Sequence, residues 1–307
     1  MTSASVPVPE ALRRNAVQVW GERGRAWLDD LPRLVDDLAR RWDLEVGDPF
    51  VLSFHWVASC RRRDGSAAVL KLGVPGEAHL AREAAVLGRW DGRGAVRLLD
   101  LDLDHGALLL ERADPGTMAA GLVPHDDETA TRAVLHVARR LHEADPAGLD
   151  LRDIASERAS LDAHLVTHGA ADPLPAGQVA RAAALLDELG ASRSRVVLLH
   201  GDLHHDNVLR HASCEAGWAA IDPHGWVGDP GFEVGPLLYN PIGSDPALLV
   251  RLLPRRLEVA AEVLGEPLDR LRAWGYVAAV VSQVWSCEDG GAPEAAPGAV
   301  AEALTPR

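Results

Sequence analysis

The sequence predicts an α+β protein of two lobes, a small N-terminal lobe built on an antiparallel sheet and a larger, mainly helical C-terminal lobe. Three observations carry this prediction. Apolar runs at 50–60 and 66–72 flank the turn signal Asp64-Gly65, as the strands of a hairpin do. Asp114-Pro115-Gly116 is a strong break in the chain. From Asp126 onward the apolar residues recur mainly at helical spacing. At 307 residues the chain is long enough for about two such units, and the expected division is 1–113 and 114–307.

Residues 10–42 are expected to be helical, because Trp20, Trp27, Leu31, Leu34, Val35, Leu38 and Trp42 recur at helical spacing. Gly21 and Gly24 are the places where that helix can break in two. Gly47 and Pro49 read as a turn. The hairpin follows, turning around Arg62–Gly65, and Gly73, Pro75 and Gly76 form a loop. Residues 77–90 read as a helix with Ala81, Ala84, Ala85, Val86, Leu87 and Trp90 on its apolar face. Strands at about 95–102 and 107–112 complete the first lobe. In the second, helices are expected near 127–143, 152–166, 176–190, 231–240, 245–264 and 267–287. Val196–Leu199 and Trp218–Ile221 are short apolar runs that bracket a polar block, as strands around a loop. The Gly-, Ala- and Pro-rich stretch 290–298 predicts a loop before a short helix to Leu304.

Composition narrows the function. A formal net charge of −14 argues against nucleic acid or an anionic membrane as partner, because no basic stripe is present to neutralise phosphates. It suits a cationic small molecule, and it also serves solubility. Three widely spaced cysteines, Cys60, Cys214 and Cys287, make no disulfide framework and fit a reducing cytoplasm. The start MTSASVPVPEALRR lacks the apolar segment of a signal peptide, and no run approaches the length of a membrane span. The sequence points to no obligate protein partner.

The chemistry lies in HGDLHHDN, His200–Asn207, followed by IDPHG at Ile221–Gly225. An Asp shortly before an Asn, with a second Asp beyond an apolar run, is the layout of a phosphoryl-transfer site of the kinase type. A carboxylate can take the proton of an attacking hydroxyl, which an amide cannot, so Asp202 is the expected base. A hard cation prefers oxygen ligands, and one amide plus one carboxylate leaves room for phosphate oxygens and water. Asn207 and Asp222 are the expected Mg²⁺ ligands. Independently, of 31 basic residues only Lys71 is lysine, and it sits in a strand just beyond the hairpin turn. A strand lysine of this kind contacts nucleotide phosphates and pairs with a helix glutamate; the plainer reading is a snorkelling surface lysine.

The chain resembles the aminoglycoside phosphotransferases, antibiotic kinases with a protein-kinase-like fold. More narrowly it is similar to the branch of streptomycin 6-kinases and hydroxyurea phosphotransferases. The likeness runs through VLKLGVP (69–75), AVRLLDLD (95–102), LLLERADPGT (108–117), LHGDLHHDNVL (199–209), AIDPHGWVGDPGFEVGPLLYNP (220–241) and VWSCEDG (284–290). It implies ATP and Mg²⁺ as cofactors. Glu83 is implied as the partner of Lys71 in preference to Glu77, because it lies mid-helix. Glu111, Arg112 and Ala113 resemble the hinge that meets adenine through backbone atoms. Trp285, Glu288 and Asp289 fall where this branch places its drug pocket. HGD in place of HRD, IDP in place of DFG and the lack of APE make a protein substrate improbable. The phosphate-covering loop should fall in FVLSFHWVASC (50–60), which has no GxGxxG; Ser53 and the nearby backbone are its stand-ins.

The resemblance implies phosphorylation of a small-molecule hydroxyl, with streptomycin as the best-supported acceptor. Hydroxyurea comes next, then a metabolic amino sugar or amino alcohol. A catalytically silent, kinase-like binding protein is the alternative of a different class, and intact Lys71, Asp202, Asn207 and Asp222 argue against it. His200 has a structural role in the family, and Asp229 reads as a helix cap or a support for the loop. The run His200, His204, His205 and Asp206 can be written as zinc ligands, but no second cluster completes the set.

Overall fold

The computed structural model describes residues 6–50, 54–168, 173–288 and 290–305. The chain divides into two compact units, one of residues 1–92 and 96–113, the other of 93–95 and 114–307.

The first unit is a five-stranded antiparallel sheet with two helices. The strands are β1 (Leu44–Pro49), β2 (Trp56–Arg62), β3 (Ala67–Leu72), β4 (Leu98–Asp102) and β5 (Ala107–Glu111), in the order β1-β2-β3-β5-β4. Helix α1 (Glu10–Arg41) lays Leu31, Leu34, Val35 and Leu38 into one core with Leu70 and Leu72 of β3 and Leu109 of β5. Side chains alternate across a strand. Leu70 and Leu72 therefore fill the core shared with α1, and Lys71 between them points to the other face, where α2 (Ala78–Trp90) supplies its partner. Gly21 is the kink in α1, at φ 55. Gly24 stays helical, but a β-carbon there would lie 1.9 Å from the Ala16 carbonyl oxygen, so the kink brings the two segments too close for any side chain.

Leu44–Pro49, read from Gly47 and Pro49 as a turn, is instead an edge strand paired to β2 with a register shift between Val46 and Pro49. Proline is tolerated there because an edge strand has no second neighbour to bond. Ser53 lies outside the described residues.

The second unit carries helices α3 (Asp127–Leu141), α4 (Glu157–His168), α5 (Ala176–Ala191), α6 (Val234–Leu238), α7 (Pro246–Leu264), α8 (Leu268–Glu288) and α9 (Ala295–Leu304). Two small antiparallel sheets hold the polar block. One is β6 (Pro115–Met118), β8 (Val208–His211) and β9 (Trp218–Ala220), in the order β6-β8-β9. The other pairs β7 (Val197–Leu199) with β10 (Trp226–Gly228). The break at Asp114-Pro115-Gly116 thus leads directly into a strand, again on a sheet edge.

Arg256 of α7 is wholly buried. It donates to Asp127 of α3 (Nη2 to Oδ1, 2.6 Å) and to the carbonyls of Leu237 and Asn240, each at 2.7 Å. The guanidinium closes the end of α6 that its own helix leaves open. Arg256→Leu strands a buried carboxylate and is expected to cost about 3–5 kcal/mol. The paired change Arg256→Leu with Asp127→Leu should recover part of that loss, since the Leu237 and Asn240 carbonyls stay unpaired. Urea unfolding checks both; a single variant as stable as the parent would show that the pair is dispensable.

Candidate active site

In the first unit the centre is a buried ion pair. Lys71 Nζ lies 2.6 Å from Glu83 Oε2, with the two side chains 5% and 0% exposed. His79, one turn earlier on α2, places Nε2 3.9 Å from the same oxygen and stacks on His55. Glu77 is engaged elsewhere, with Arg23 at 3.2 Å. Glu111 ends β5; its N–H donates to the Arg97 carbonyl, and its carboxylate accepts from the Arg97 N–H and guanidinium. Arg112 is exposed and Ala113 is buried.

In the second unit β7 delivers the chain into the loop 200–207 and β8 takes it away. Inside the loop, buried side chains replace a backbone ladder. His200 accepts from the Asp202 N–H at Nδ1 (3.2 Å) and donates from Nε2 to the Ile221 carbonyl (2.9 Å). Burial holds its imidazole neutral, with a pKa down to about 4. Gly201 gives its N–H to Glu233 Oε1 at 2.8 Å. Burial pushes the Glu233 carboxyl up to about 8. Asp229 caps the turn that presents Glu233, accepting from the Gly231 N–H at 2.9 Å, and it also pairs with Arg270.

Asp202 is partly exposed at the end of this scaffold. Burial opposes its charge, but His204 and the neighbouring imidazoles outweigh that, and the carboxyl titrates below its ordinary range. His204 Nε2 is 3.5 Å from Asp202 Oδ2, and Nδ1 is 3.1 Å from Asp206 Oδ2. Burial alone would lower the His204 pKa, yet the two carboxylates raise it to about 9. The two carboxylates thus favour the charged form of the imidazole against its burial. Asn207 donates from Nδ2 to the Asp202 carbonyl (3.0 Å) and less closely to Oδ2 (3.3 Å). Its Oδ1 is the end that can ligate a cation.

The Ile221 N–H donates to the Asn207 carbonyl at 3.0 Å, which sets Asp222 beside Asn207 along the chain path. Asp222 is exposed and sits in the left-handed region at φ 59, a conformation Asp tolerates better than most side chains. The zinc reading finds no geometry: among the described residues His200, His204, His205 and Asp206 do not gather their ligand atoms to one point.

Trp285 donates from Nε1 to Glu157 Oε2 at 2.7 Å. Its ring stacks on Trp226 and tilts against His224. Glu288 is exposed in the last turn of α8, and Asp289 lies outside the described residues. Two residues were not foreseen. Glu233 could have been noticed as a lone acid in the apolar run FEVGPLL; nothing local marks Glu157.

An aminoglycoside phosphotransferase solved as a ternary complex with ADP and hygromycin B shares the fold at a TM-score of 0.57 and 17% identity, over 88% of this chain and 97% of that one. The fold is the protein-kinase-like one. The sequence profile of the aminoglycoside/hydroxyurea antibiotic resistance kinases matches residues 45–290, and the chain belongs to that family. It is a phosphotransferase with an alcohol group as acceptor. A streptomycin 6-kinase of Streptomyces glaucescens is 37% identical over 302 residues, covering 95% of this chain and 94% of that relative. A hydroxyurea phosphotransferase of Kitasatospora aureofaciens is 36% identical over 297 residues, covering 94% and 82%. Among the described residues no helix is long and apolar enough to cross a membrane.

The buried Glu233 carboxyl carries a pH signature. Unfolded, it loses its proton near the ordinary 4.5; folded, it keeps it to about 8. Between those values the native state holds more protons, so this group makes stability fall as pH rises, and the fall ends above about 8. Glu233→Gln keeps an acceptor for Gly201 and should flatten that part of the profile. Denaturation midpoints across the window test it; an unchanged slope in the variant would place the titration elsewhere.

Proposed function

We propose that the protein transfers the γ-phosphoryl group of ATP to a hydroxyl of streptomycin. The observation that carries this reading is the loop 200–207, where Asp202 is held ionised and partly exposed by His204 and Asn207. An ionised carboxylate held by a hydrogen-bonded loop can orient a hydroxyl and take its proton. Lys71, kept in place by Glu83, balances charge on the nucleotide phosphates. Asn207 and Asp222 offer the oxygen donors that Mg²⁺ favours, and would hold it. The ion supplies neutralisation of phosphate charge when bound.

Adenine would meet the backbone of Glu111–Ala113. The Glu111 N–H is already given to Arg97, so any donor to the base comes from Arg112 or Ala113. A similar fold has been solved with ADP, which supports an adenine nucleotide. Streptomycin as acceptor rests on the 37% identical relative and on the net charge of −14, since streptomycin carries guanidinium groups. Trp285, Glu288 and Asp289 are its proposed contacts. Hydroxyurea is the second reading, favoured by a relative of nearly equal identity; being neutral, it gains little from carboxylates. A small-molecule kinase of this kind would act in the cytoplasm, where ATP is.

An acceptor panel with γ-labelled ATP tests the reading. Label should pass to streptomycin and not to hydroxyurea; the reverse result moves the protein to the second reading. Asp202→Asn should abolish transfer while nucleotide binding persists, and a loss of only a few fold would remove Asp202 from the mechanism. Lys71→Arg should impair turnover although charge is kept, because the planar fork cannot meet Glu83 and a phosphate as the compact ammonium does.

A further inference from the structure

Glu157 is a carboxylate with almost no access to water, its side chain 2% exposed. One oxygen takes the Trp285 indole N–H at 2.7 Å. The other lies 3.2 Å from Arg152 Nη2, and the Arg152 side chain is 54% exposed. The same guanidinium stands over the Trp226 ring, its Cζ 4.9 Å from the centroid. Trp226 and Trp285 are stacked, 15° from parallel with centroids 6.2 Å apart. A guanidinium is thus seated on an indole and paired with a buried acid, a combination suited to a planar, weakly hydrated cation more than to an ammonium.

Two further observations bear on what the seat is for. The Arg152 main chain is fixed, since its carbonyl accepts the Val227 N–H at 3.0 Å, so only its half-exposed side chain can leave. Trp226 also lies against the catalytic loop: a β-carbon on Gly201 would fall 2.4 Å from Trp226 Cδ1. The seat therefore abuts the residue next to Asp202. A permanent structural pair would be served as well by a buried arginine, like Arg256. Here the cation is the exposed member of a group whose acid is enclosed and whose second indole, Trp285, is half-buried.

We infer that Glu157 and the Trp226–Trp285 indole pair form a guanidinium subsite of the acceptor pocket, and that Arg152 occupies it until a guanidinium-bearing acceptor displaces it. The inference deepens the proposed function and rests on its placing the acceptor at Asp202. Arg152 then acts as a built-in competitor: the apparent affinity for the acceptor is reduced by the fraction of time that Arg152 is seated. An acceptor that cannot replace its contacts is held off the site.

The test uses the full chain and methylguanidinium as probe, read at the Trp285 indole N–H by NMR, with methylammonium as control. In Arg152→Met, methylguanidinium should shift that signal saturably at about tenfold lower concentration than in the wild type, and methylammonium should act far more weakly. Glu157→Gln in the same background keeps an acceptor for the indole and should abolish the response. Arg152→Lys, which keeps the charge without the fork, should behave as Arg152→Met does and serves if that variant folds poorly. The KM for streptomycin should fall in both Arg152 variants while that for ATP holds. No response in either variant, or an equal response with Glu157→Gln, overturns the subsite even if streptomycin is phosphorylated. A clear response in a protein that does not phosphorylate streptomycin leaves the subsite standing and removes the acceptor instead.

Discussion

The hydrogen bond from the Gly201 N–H to the buried Glu233 carboxyl is the constraint on which the active loop depends. Between β7 and β8 the chain leaves its ladder, and each enclosed N–H there must find an acceptor or cost about 1–3 kcal/mol. Glu233 serves Gly201, and His200 serves Asp202 while tying itself to Ile221. Asn207 gives its N–H to the His204 carbonyl at 3.0 Å and receives one from Ile221. The groups proposed to carry the chemistry thus inherit their positions from groups that do not. Asp229 extends the dependence outward, since it caps the turn on which Glu233 stands.

Charge is handled differently at three depths. Lys71 and Glu83 are both enclosed, so each needs the other and neither can drift. Asp202 is only partly enclosed and sits in a row of alternating charge with His204 and Asp206, which keeps it ionised without hiding it. Glu157 is enclosed but paired with an exposed cation, and that asymmetry makes its partner exchangeable. In the proposed function these three arrangements would serve nucleotide, proton and acceptor in turn.

Much of this could be read before folding. Period-two alternation sets Lys71 on the face opposite Leu70 and Leu72, and helical spacing sets Glu83 mid-helix, so their meeting needs only α2 to pack on that face. The block His200–Asn207 and the Asp222 that follows are close in sequence, although the bond that holds Gly201 comes from Glu233, 32 residues on. What escaped reading has a common cause. Strands β1 and β6 contain Pro49 and the Pro115-Gly116 pair, which signal turns, yet both are sheet edges where such residues cost little. Strands β8 and β10 are four and three residues long and owe their existence to partners elsewhere in the chain. Glu157 and Glu233 matter because they are buried, and burial is decided by helices that arrive from far along the sequence.

The central claim is that Asp202 meets the acceptor hydroxyl. A crystal structure of the protein with streptomycin, Mg²⁺ and a non-hydrolysable ATP analogue tests it most directly. The account predicts one streptomycin hydroxyl within about 2.6–3.2 Å of the Asp202 carboxylate, with a cation on Asn207 Oδ1 and Asp222. Streptomycin bound in the complete complex with every hydroxyl out of reach of Asp202 would contradict it.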